Sequence, residues 1–287
     1  MEWLYDTVPA LHTFPVLAQA IQNQKPIPYL LRLIQEGADV NETVIWSHRV
    51  YYAVPLLVFT IERYGYTRNL LDNPPKLLRH LRYLLKVIYL LLEYGADPPC
   101  VSVLHALVPF LYEDPALLGH LIHHGMNIHL PVGTDGIPPL YRSIKLLRPW
   151  LQDDEYVQRR IAVIYQLLDH GADPSFQDKK GYTALHHLLV YPITTSLFEL
   201  LQHMIPLSNI HLEDNQGNTP LHCYIDHHGE YPVQTVPPHQ VIDLLLSAGA
   251  NPLARNEQGD IPIEMRQRNG HPPFPGLEEY MAIVGPE

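Results

Sequence analysis

One nine-residue phrase occurs twice between Asp178 and Pro252, and it limits the possible fold more than any other feature of the sequence. The first copy reads Asp-Lys-Lys-Gly-Tyr-Thr-Ala-Leu-His and ends at His186. The second reads Asp-Asn-Gln-Gly-Asn-Thr-Pro-Leu-His, starts at Asp214 and ends at His222. The copies start 36 residues apart, which is the length of one small supersecondary module. A chain with this period is expected to stack similar modules, each packed only on its neighbours.

A second phrase, Leu-Leu-x-x-Gly-Ala-(Asp/Asn)-Pro, ends at Pro174 and again at Pro252. The Thr and Pro of the first phrase are suited to begin a helix, because Thr caps orphan amides and Pro fits the first helical turn. The Gly of the second phrase is suited to end a Leu-rich helix, since Gly adopts left-handed backbone angles readily. The Asp-x-x-Gly stretch has turn chemistry. Each module is therefore predicted to be a turn, two helices and a turn.

This pairing of phrases resembles the ankyrin repeat, whose signature is Thr-Pro-Leu-His-x-Ala at a period of about 33 residues. The resemblance extends over about residues 13–268 and leaves no room for a separate catalytic domain. It implies an all-α fold, an ankyrin-repeat α-solenoid with β-turn fingers. The chain is predicted to be a single domain over residues 1–287, with an N-terminal cap at 1–12, six repeats at 13–255, and a partial repeat and C-terminal cap at 256–287.

Five glycines are predicted to end second helices of the repeats: Gly37, Gly95, Gly125, Gly171 and Gly249. In repeat one, the helices are predicted to start near residues 15–18 and to cover residues 29–34. Repeat five lacks such a glycine and ends at His203-Met204-Ile205-Pro206 instead. In repeat four, Tyr141 occupies the place of the motif His.

The even-numbered repeats are predicted to carry long insertions between their two helices. The inserted segments are 64–76 in repeat two, 149–154 in repeat four and 227–238 in repeat six. Residues 64–76 contain Asn73-Pro74-Pro75, which favours an extended loop between the two helices.

The net charge of −11 over 287 residues argues against a general nucleic-acid or anionic-membrane surface, because phosphate binding needs clustered Lys and Arg. The 18 histidines make that charge sensitive to pH near neutrality. Two cysteines, Cys100 and Cys223, cannot build a disulfide framework and suit a reducing compartment. The N-terminus lacks the pattern of a secretory signal, and the apolar run 84–92 is too short to span a membrane. These features predict a cytoplasmic or nuclear protein.

The resemblance implies that the turns project beside the first helices and together line a concave face. The variable positions between the fixed motif residues are then expected to be exposed. The candidate partner-binding residues are Lys179, Lys180, Tyr182, Tyr191, Asn215, Gln216, Asn218, Asp226 and His227. A face of mixed charge with aromatic side chains suits a protein partner. The leading prediction is a non-enzymatic scaffold that binds a protein or peptide on this face, as an adaptor or inhibitor.

The alternative prediction is an unusual enzyme or small-molecule receptor that uses the groove of repeats four to six. Its acid–base or hydrogen-bonding candidates are Tyr182, Tyr191, Asp226 and His227. A closed pocket of several hundred cubic ångströms would favour this alternative, whereas an open face would favour a protein partner.

No cofactor and no metal are predicted. The cluster from Asp226 to Tyr231 contains possible metal ligands, but no His-Glu-x-x-His or other strong ligand spacing occurs. Neither a Gly-rich phosphate loop nor a Gly-x-Ser-x-Gly elbow is present. The motif histidines His105, His186 and His222 are expected to hydrogen-bond to adjacent turns, and Cys223 is expected to be a packed core residue.

Overall fold

The computed structural model describes residues 15–46, 52–68, 74–98, 104–129, 137–145, 147, 154–227 and 236–274. The chain separates into two compact units, each built mainly from helices. The first unit contains Met1–Phe110 and Ala116–Met126, and the second contains Leu111–Pro115 and Asn127–Glu287. The prediction of an all-α fold of the ankyrin type is confirmed.

The first unit begins with a pair of short helices and contains a long pair. Its helices are α1 (Val16–Gln22), α2 (Ile27–Gln35), α3 (Leu56–Arg68), α4 (Pro74–Glu93), α5 (Leu104–Glu113), whose last three residues belong to the second unit, and α6 (Ala116–His123). Within the unit, α1 packs on α2 and α3, and α3 packs on α4. The two helices predicted for repeat one are confirmed as α1 and α2.

A two-stranded hairpin precedes α3, which the prediction of simple turns did not include. Strand β1 (Thr43–Trp46) pairs antiparallel with β2 (Tyr52–Pro55), and Thr43 lies opposite Pro55. Both strands are rich in β-branched and aromatic residues, which favour extended backbone. The described chain between repeats one and two therefore contains two antiparallel strands of four residues each.

The prediction of an extended loop over residues 64–76 is wrong for residues 64–68 and 74–76, which are helical, and residues 69–73 lie outside the described residues. Helix α3 continues to Arg68 and α4 begins at Pro74. Prolines are accepted at the start of α4 because the first helical turn needs no amide donors. Leu81, Leu84, Ile88 and Leu91 are buried at helical spacing along α4, so the added length is stabilised by one continuous apolar stripe.

The second unit stacks helix pairs in the order expected for the repeats. Its helices are α7 (Pro139–Lys145), α8 (Asp154–Asp169), α9 (Ala184–Leu189), α10 (Thr195–Met204), α11 (Pro220–His227), α12 (Pro238–Ser247) and α13 (Pro262–Arg268). The first helices of successive repeats pack in a row, with α9 between α7 and α11, and α13 beyond α11. Helix α8 packs on α10 in a second row.

The predicted helix-ending glycines Gly37, Gly95, Gly125, Gly171 and Gly249 all have positive φ, as a left-handed cap requires. Repeat five ends instead in a 3-10 turn, Ile205–Leu207, where the Ser208 hydroxyl donates to the Met204 carbonyl at 2.8 Å.

The predicted N-terminal cap, the end of the C-terminal cap and most of the insertions at 149–154 and 227–238 lie outside the described residues. No helix in the part of the chain that the structure describes is long and apolar enough to cross a membrane.

Candidate functional site

Three consecutive turns of the second unit each begin with an Asp or Asn whose side chain accepts hydrogen bonds from backbone amides of the same turn. In the first, Asp178 Oδ1 accepts hydrogen bonds from the amides of Lys180 at 2.8 Å and Tyr182 at 3.0 Å. Asp214 does the same for Gln216 and Asn218, and Asn256 for Gln258 and Asp260. These bonds give each turn a defined shape before any partner is present.

Backbone hydrogen bonds join each turn to the next. The amide of Asn215 donates to the Lys180 carbonyl at 2.9 Å, and its side chain donates to the Lys179 carbonyl at 2.9 Å. The amide of Glu257 donates to the Gln216 carbonyl at 2.9 Å. Because these bonds use carbonyl groups of the variable residues, the side chains of Lys179, Lys180 and Gln216 remain exposed at the turn tips.

The motif histidines link each first helix to the following turn, as predicted. The amide of Thr183 donates to Nδ1 of His186, and Nε2 of His186 donates to the Asn218 carbonyl at 3.0 Å. His222 makes the equivalent bond to the Asp260 carbonyl at 3.2 Å. Burial lowers the pKa of both imidazoles, since it disfavours the charged form. The side chain of His105 lies outside the described residues.

In repeat four the same link is made by a different group. The Tyr141 hydroxyl donates to Asp178 Oδ2 at 2.6 Å and also bonds Nε2 of His187. Because the single phenolic proton goes to the carboxylate, His187 must carry a proton on Nε2 and donate it to the Tyr141 oxygen. The His187 ring stands edge-on to Tyr141, with centroids 4.7 Å apart, and to Tyr182, with centroids 5.3 Å apart.

The protonation states in this cluster are those of a structural network. Burial raises the pKa of the Asp178 carboxyl, but the hydrogen bonds from Tyr141 and from the amides of Lys180 and Tyr182 outweigh it, and the net pKa is lowered. Burial lowers the pKa of His187 to about 4 and raises that of Tyr182 to about 12. At neutral pH the cluster therefore holds one carboxylate, one neutral imidazole and neutral phenols. A general acid or base working near neutrality would need a pKa near 7.

The sequence contained one signal for this Tyr141–Asp178–His187 network. Tyr141 departs from His at the motif position of repeat four. This departure did not reveal His187, because His187 follows the motif residue His186 and its partner Tyr141 lies 46 residues away in the sequence.

Two of the predicted partner-binding residues are buried, which corrects the expectation that they are exposed. Asn218 is only 3% exposed, because its side chain bonds Asp214 and accepts a hydrogen bond from Asn256 of the next turn. Asp226 is also 3% exposed and accepts a hydrogen bond from the Asn269 side chain at 3.0 Å. Helix α13 packs against α11, and Asn269 and His271, which follow α13, contact the Asp226 carboxylate.

The other seven predicted residues are reachable from solvent. Lys179, Lys180, Asn215 and Gln216 are exposed at the turn tips, and Tyr182, Tyr191 and His227 are partly exposed. Glu257 and Gln258 extend the same exposed row. We call the exposed residues Lys179, Lys180, Asn215, Gln216, Glu257 and Gln258 the turn surface.

The four residues proposed for an enzyme or receptor already have structural contacts. The Tyr191 hydroxyl donates to the Lys145 carbonyl at 3.1 Å, and Nδ1 of His227 bonds the Cys223 carbonyl at 3.1 Å. Tyr182 packs against His187, and Asp226 is held by Asn269. Two cavities, of about 530 Å³ and about 240 Å³, are formed by described residues, and neither is lined by any of these four side chains.

Cys223 is buried, as predicted, and burial raises the pKa of its thiol, so the reactive thiolate is disfavoured. Within the described residues, no group of three or more His, Cys, Asp or Glu side chains is arranged to hold a metal ion.

Comparison with known proteins agrees with this architecture. The family model of the ankyrin repeat matches residues 216–257. The chain is also similar to NF-kappa-B inhibitor delta of Mus musculus, with 27% identity over 213 residues. The matched region covers 68% of this chain and 61% of the mouse protein, so the chain spans less than two thirds of that relative. Both similarities agree with the stack of helix pairs described above.

Proposed function

We propose that this ankyrin-repeat protein is a non-catalytic inhibitor or adaptor that binds a partner protein across its turn surface. The observation that supports this most directly is that the repeated and the variable residues of the turns differ in burial. The repeated residues are buried and bonded to their neighbours, whereas the variable side chains of the turn surface are exposed on a row joined by backbone hydrogen bonds. Such a row loses little conformational freedom on binding, which favours affinity.

The chemistry of the turn surface suits a folded protein. Lys179 and Lys180 lie at one end and Glu257 at the other, so the surface has opposite charges that can orient a partner. Tyr182 lies in the turn that begins at Asp178, Tyr191 follows the end of α9, and both are partly exposed. Partly exposed tyrosines are typical anchors of protein interfaces, because their rings add contact area with little loss of freedom.

The mouse relative suggests the class of the partner. Its name describes an inhibitor of NF-kappa-B. By analogy, we assign to this chain a partner of the NF-kappa-B type, bound in the cytoplasm or nucleus. The net charge of −11 supports a protein rather than a nucleic acid as the ligand of the turn surface.

No specific observation in the described parts of the chain favours the enzyme or receptor alternative. Of its candidates, Tyr191 and Asp226 make hydrogen bonds to neighbouring repeats, whereas His227 bonds the Cys223 carbonyl within its own helix. The pKa of Tyr182 is raised to about 12.

A triple variant, Lys179→Ala/Lys180→Ala/Gln216→Ala, tests the assignment. It removes three exposed side chains and keeps the backbone bonds between turns. Binding is measured with a purified NF-kappa-B protein, and by affinity capture from the chain's own host with mass spectrometry of retained proteins and small molecules. We expect the wild type to retain an NF-kappa-B-type protein and the variant to bind it at least about tenfold more weakly, equivalent to about 1.4 kcal/mol.

The matched control is Gln202→Glu/Ser247→Glu, which changes the net charge by the same amount at exposed positions of α10 and α12. It is expected to bind like the wild type. Equal binding by the triple variant would reject the turn surface as the site. Retention of a different protein would reject the assigned partner class, and retention of a small molecule alone would support the receptor alternative.

A further inference from the structure

The first unit contains a basic groove that the repeat motifs do not explain. The groove has a volume of about 530 Å³ and lies between the start of α2 and residues 75–86 of α4. Its lining consists of Ile27, Pro75, Leu78, Arg79, Arg82, Tyr83 and Lys86. We call this feature the α4 groove. It belongs to a different compact unit from the turn surface.

Three cationic residues of the α4 groove share one face of the helix. Arg79, Arg82 and Lys86 are three and four residues apart, a spacing that places helical side chains next to one another. With a rise of 1.5 Å per residue, they cover about 10 Å along the helix. The only acidic residue of α4 is Glu93, at its far end. The groove is thus a concentrated patch of positive charge on a chain of net charge −11.

The floor of the α4 groove is apolar and well supported. Leu78 keeps 38% of its surface exposed, and Ile27 lines the opposite wall at the start of α2. The Tyr83 hydroxyl donates to the Lys25 carbonyl at 2.9 Å and so ties α4 to the loop before α2. Burial raises the pKa of Tyr83 to about 12, so its hydroxyl keeps its proton at neutral pH. The two walls are held at a set separation by this bond.

We propose that the α4 groove binds an acidic peptide segment of a partner protein, with carboxylates on Arg79 and Lys86 and an apolar side chain against Ile27 and Leu78. An extended peptide advances about 3.3 Å per residue, so a groove about 10 Å long accommodates about three residues. The matching ligand alternates acidic and apolar side chains. Its carboxylates complement the positive charge, and its apolar side chain covers surface of Leu78 that water now contacts.

The charge pattern favours a peptide over a nucleic acid. A phosphate backbone presents charge along its whole length and is met by extended basic surfaces. Here the cations line the same groove as the apolar side chains of Ile27 and Leu78, which a sugar–phosphate backbone would leave uncovered.

A fluorescence-anisotropy titration of the full chain tests this inference, with a labelled eight-residue peptide of alternating Glu and Leu as the probe. The charge-reversal variant Arg79→Glu/Lys86→Glu is compared with Lys179→Glu/Lys180→Glu, which changes the net charge equally on the turn surface. We expect the wild type to bind and the α4-groove variant to lose at least about tenfold in affinity. The turn-surface variant is expected to bind within about twofold of wild type at 0.15 M salt, because it leaves every residue that lines the α4 groove unchanged.

Further comparisons test the apolar contact and the folding of the variant. A probe with Ser in place of Leu, and the variant Leu78→Ser, are both expected to weaken binding. Helix content by circular dichroism checks that the charge-reversal variant folds, and Arg79→Gln/Lys86→Gln replaces it if it does not.

Equal losses in both charge-reversal variants would overturn the inference, since binding would then be general attraction to charge. Equal affinity for the Leu and Ser probes would also overturn it. So would tighter binding of a single-stranded oligonucleotide that depends on Arg79 and Lys86, because the groove would then be a nucleic-acid site. Because the turn-surface variant is part of the comparison, loss of NF-kappa-B binding and loss of peptide binding are distinguished.

Discussion

The Tyr141 hydroxyl, on the first helix of repeat four, donates a hydrogen bond to the carboxylate of Asp178, which begins the turn of the next repeat. In repeats five and six, His186 and His222 make the corresponding link, but to backbone carbonyls. The Tyr141 phenol therefore has two structural roles. It connects neighbouring repeats, and it satisfies the carboxylate oxygen left over when the other oxygen caps the turn.

The substitution Tyr141→Phe is predicted to destabilise the second unit by about 1–3 kcal/mol. It removes the hydroxyl and leaves Asp178 Oδ2 and the Nε2 donor of His187 without that partner in a largely buried site. Urea denaturation followed by circular dichroism measures the change. Tyr191→Phe is the matched control, because its hydroxyl contacts α7 at an exposed site where water can replace it. A loss no larger than that of the control would contradict a structural role for the network.

Gly217→Ala is predicted to cost about 1–3 kcal/mol more than Gly259→Ala. Both glycines have positive φ, +77 and +83, so both substitutions carry the left-handed backbone penalty. At Gly217 the new Cβ would also lie 2.7 Å from the Glu257 amide nitrogen, whereas at Gly259 no atom lies within 4 Å. The steric overlap of this Cβ with the adjacent turn accounts for the larger predicted cost of Gly217→Ala. Thermal and urea unfolding of the two variants compare these costs, and equal costs would show that adjacent turns can separate easily.

Acidification from pH 7 to pH 5 is predicted to destabilise the folded chain through His187. The folded pKa of this residue is about 4 and its ordinary value is 6.5, so the unfolded state takes up the proton first and stability falls as the pH drops below 6.5. Burial is the main cause of the lowered pKa, and the nearby charges are Asp178, Lys145 and His186. Over this interval His187 contributes a loss of about 2 kcal/mol.

His187→Gln isolates that contribution. Its free energy of unfolding is expected to fall about 2 kcal/mol less than that of the wild type between pH 7 and pH 5. His186 and His222, whose pKa values are also lowered by burial, remain in both proteins and cancel in the comparison. Asp178 stays ionised over this range because its pKa lies below its ordinary value of 3.8. Parallel pH profiles would show that His187 is not the titrating group.

The residues that begin and end the elements could be predicted because their roles are local. Thr183 caps α9, Gly171 and Gly249 end second helices, and the turn at Asp178 closes on its own amides. Each of these depends on residues within a few positions along the chain. The long α4 was missed because Pro74 and Pro75 suggested a loop, while the apolar stripe beyond them favoured a helix.

Exposure at the candidate site depended on contacts between repeats. Gln216 and Asn218 occupy equally variable positions of one turn, yet Gln216 is exposed and Asn218 is buried against Asn256. Asp226 was placed on the predicted binding face, and Asn269, which follows α13, contacts its carboxylate. Sequence spacing alone cannot distinguish these cases, because the residues that cover Asn218 and Asp226 lie 38 and 43 positions further along the chain.

By itself, the sequence determined the repeat type, its period, the glycines that end second helices and the roles of His186, His222 and Cys223. These follow from local backbone conformation and from a repeated motif whose residues meet equivalent partners in each repeat. Only the tertiary structure decided that Tyr141 and His187 share Asp178, and that Arg79 and Lys86 line one groove with Ile27. The reason is physical: hydrogen bonds and grooves between elements form only when helices pack, and packing brings together residues that no local pattern connects.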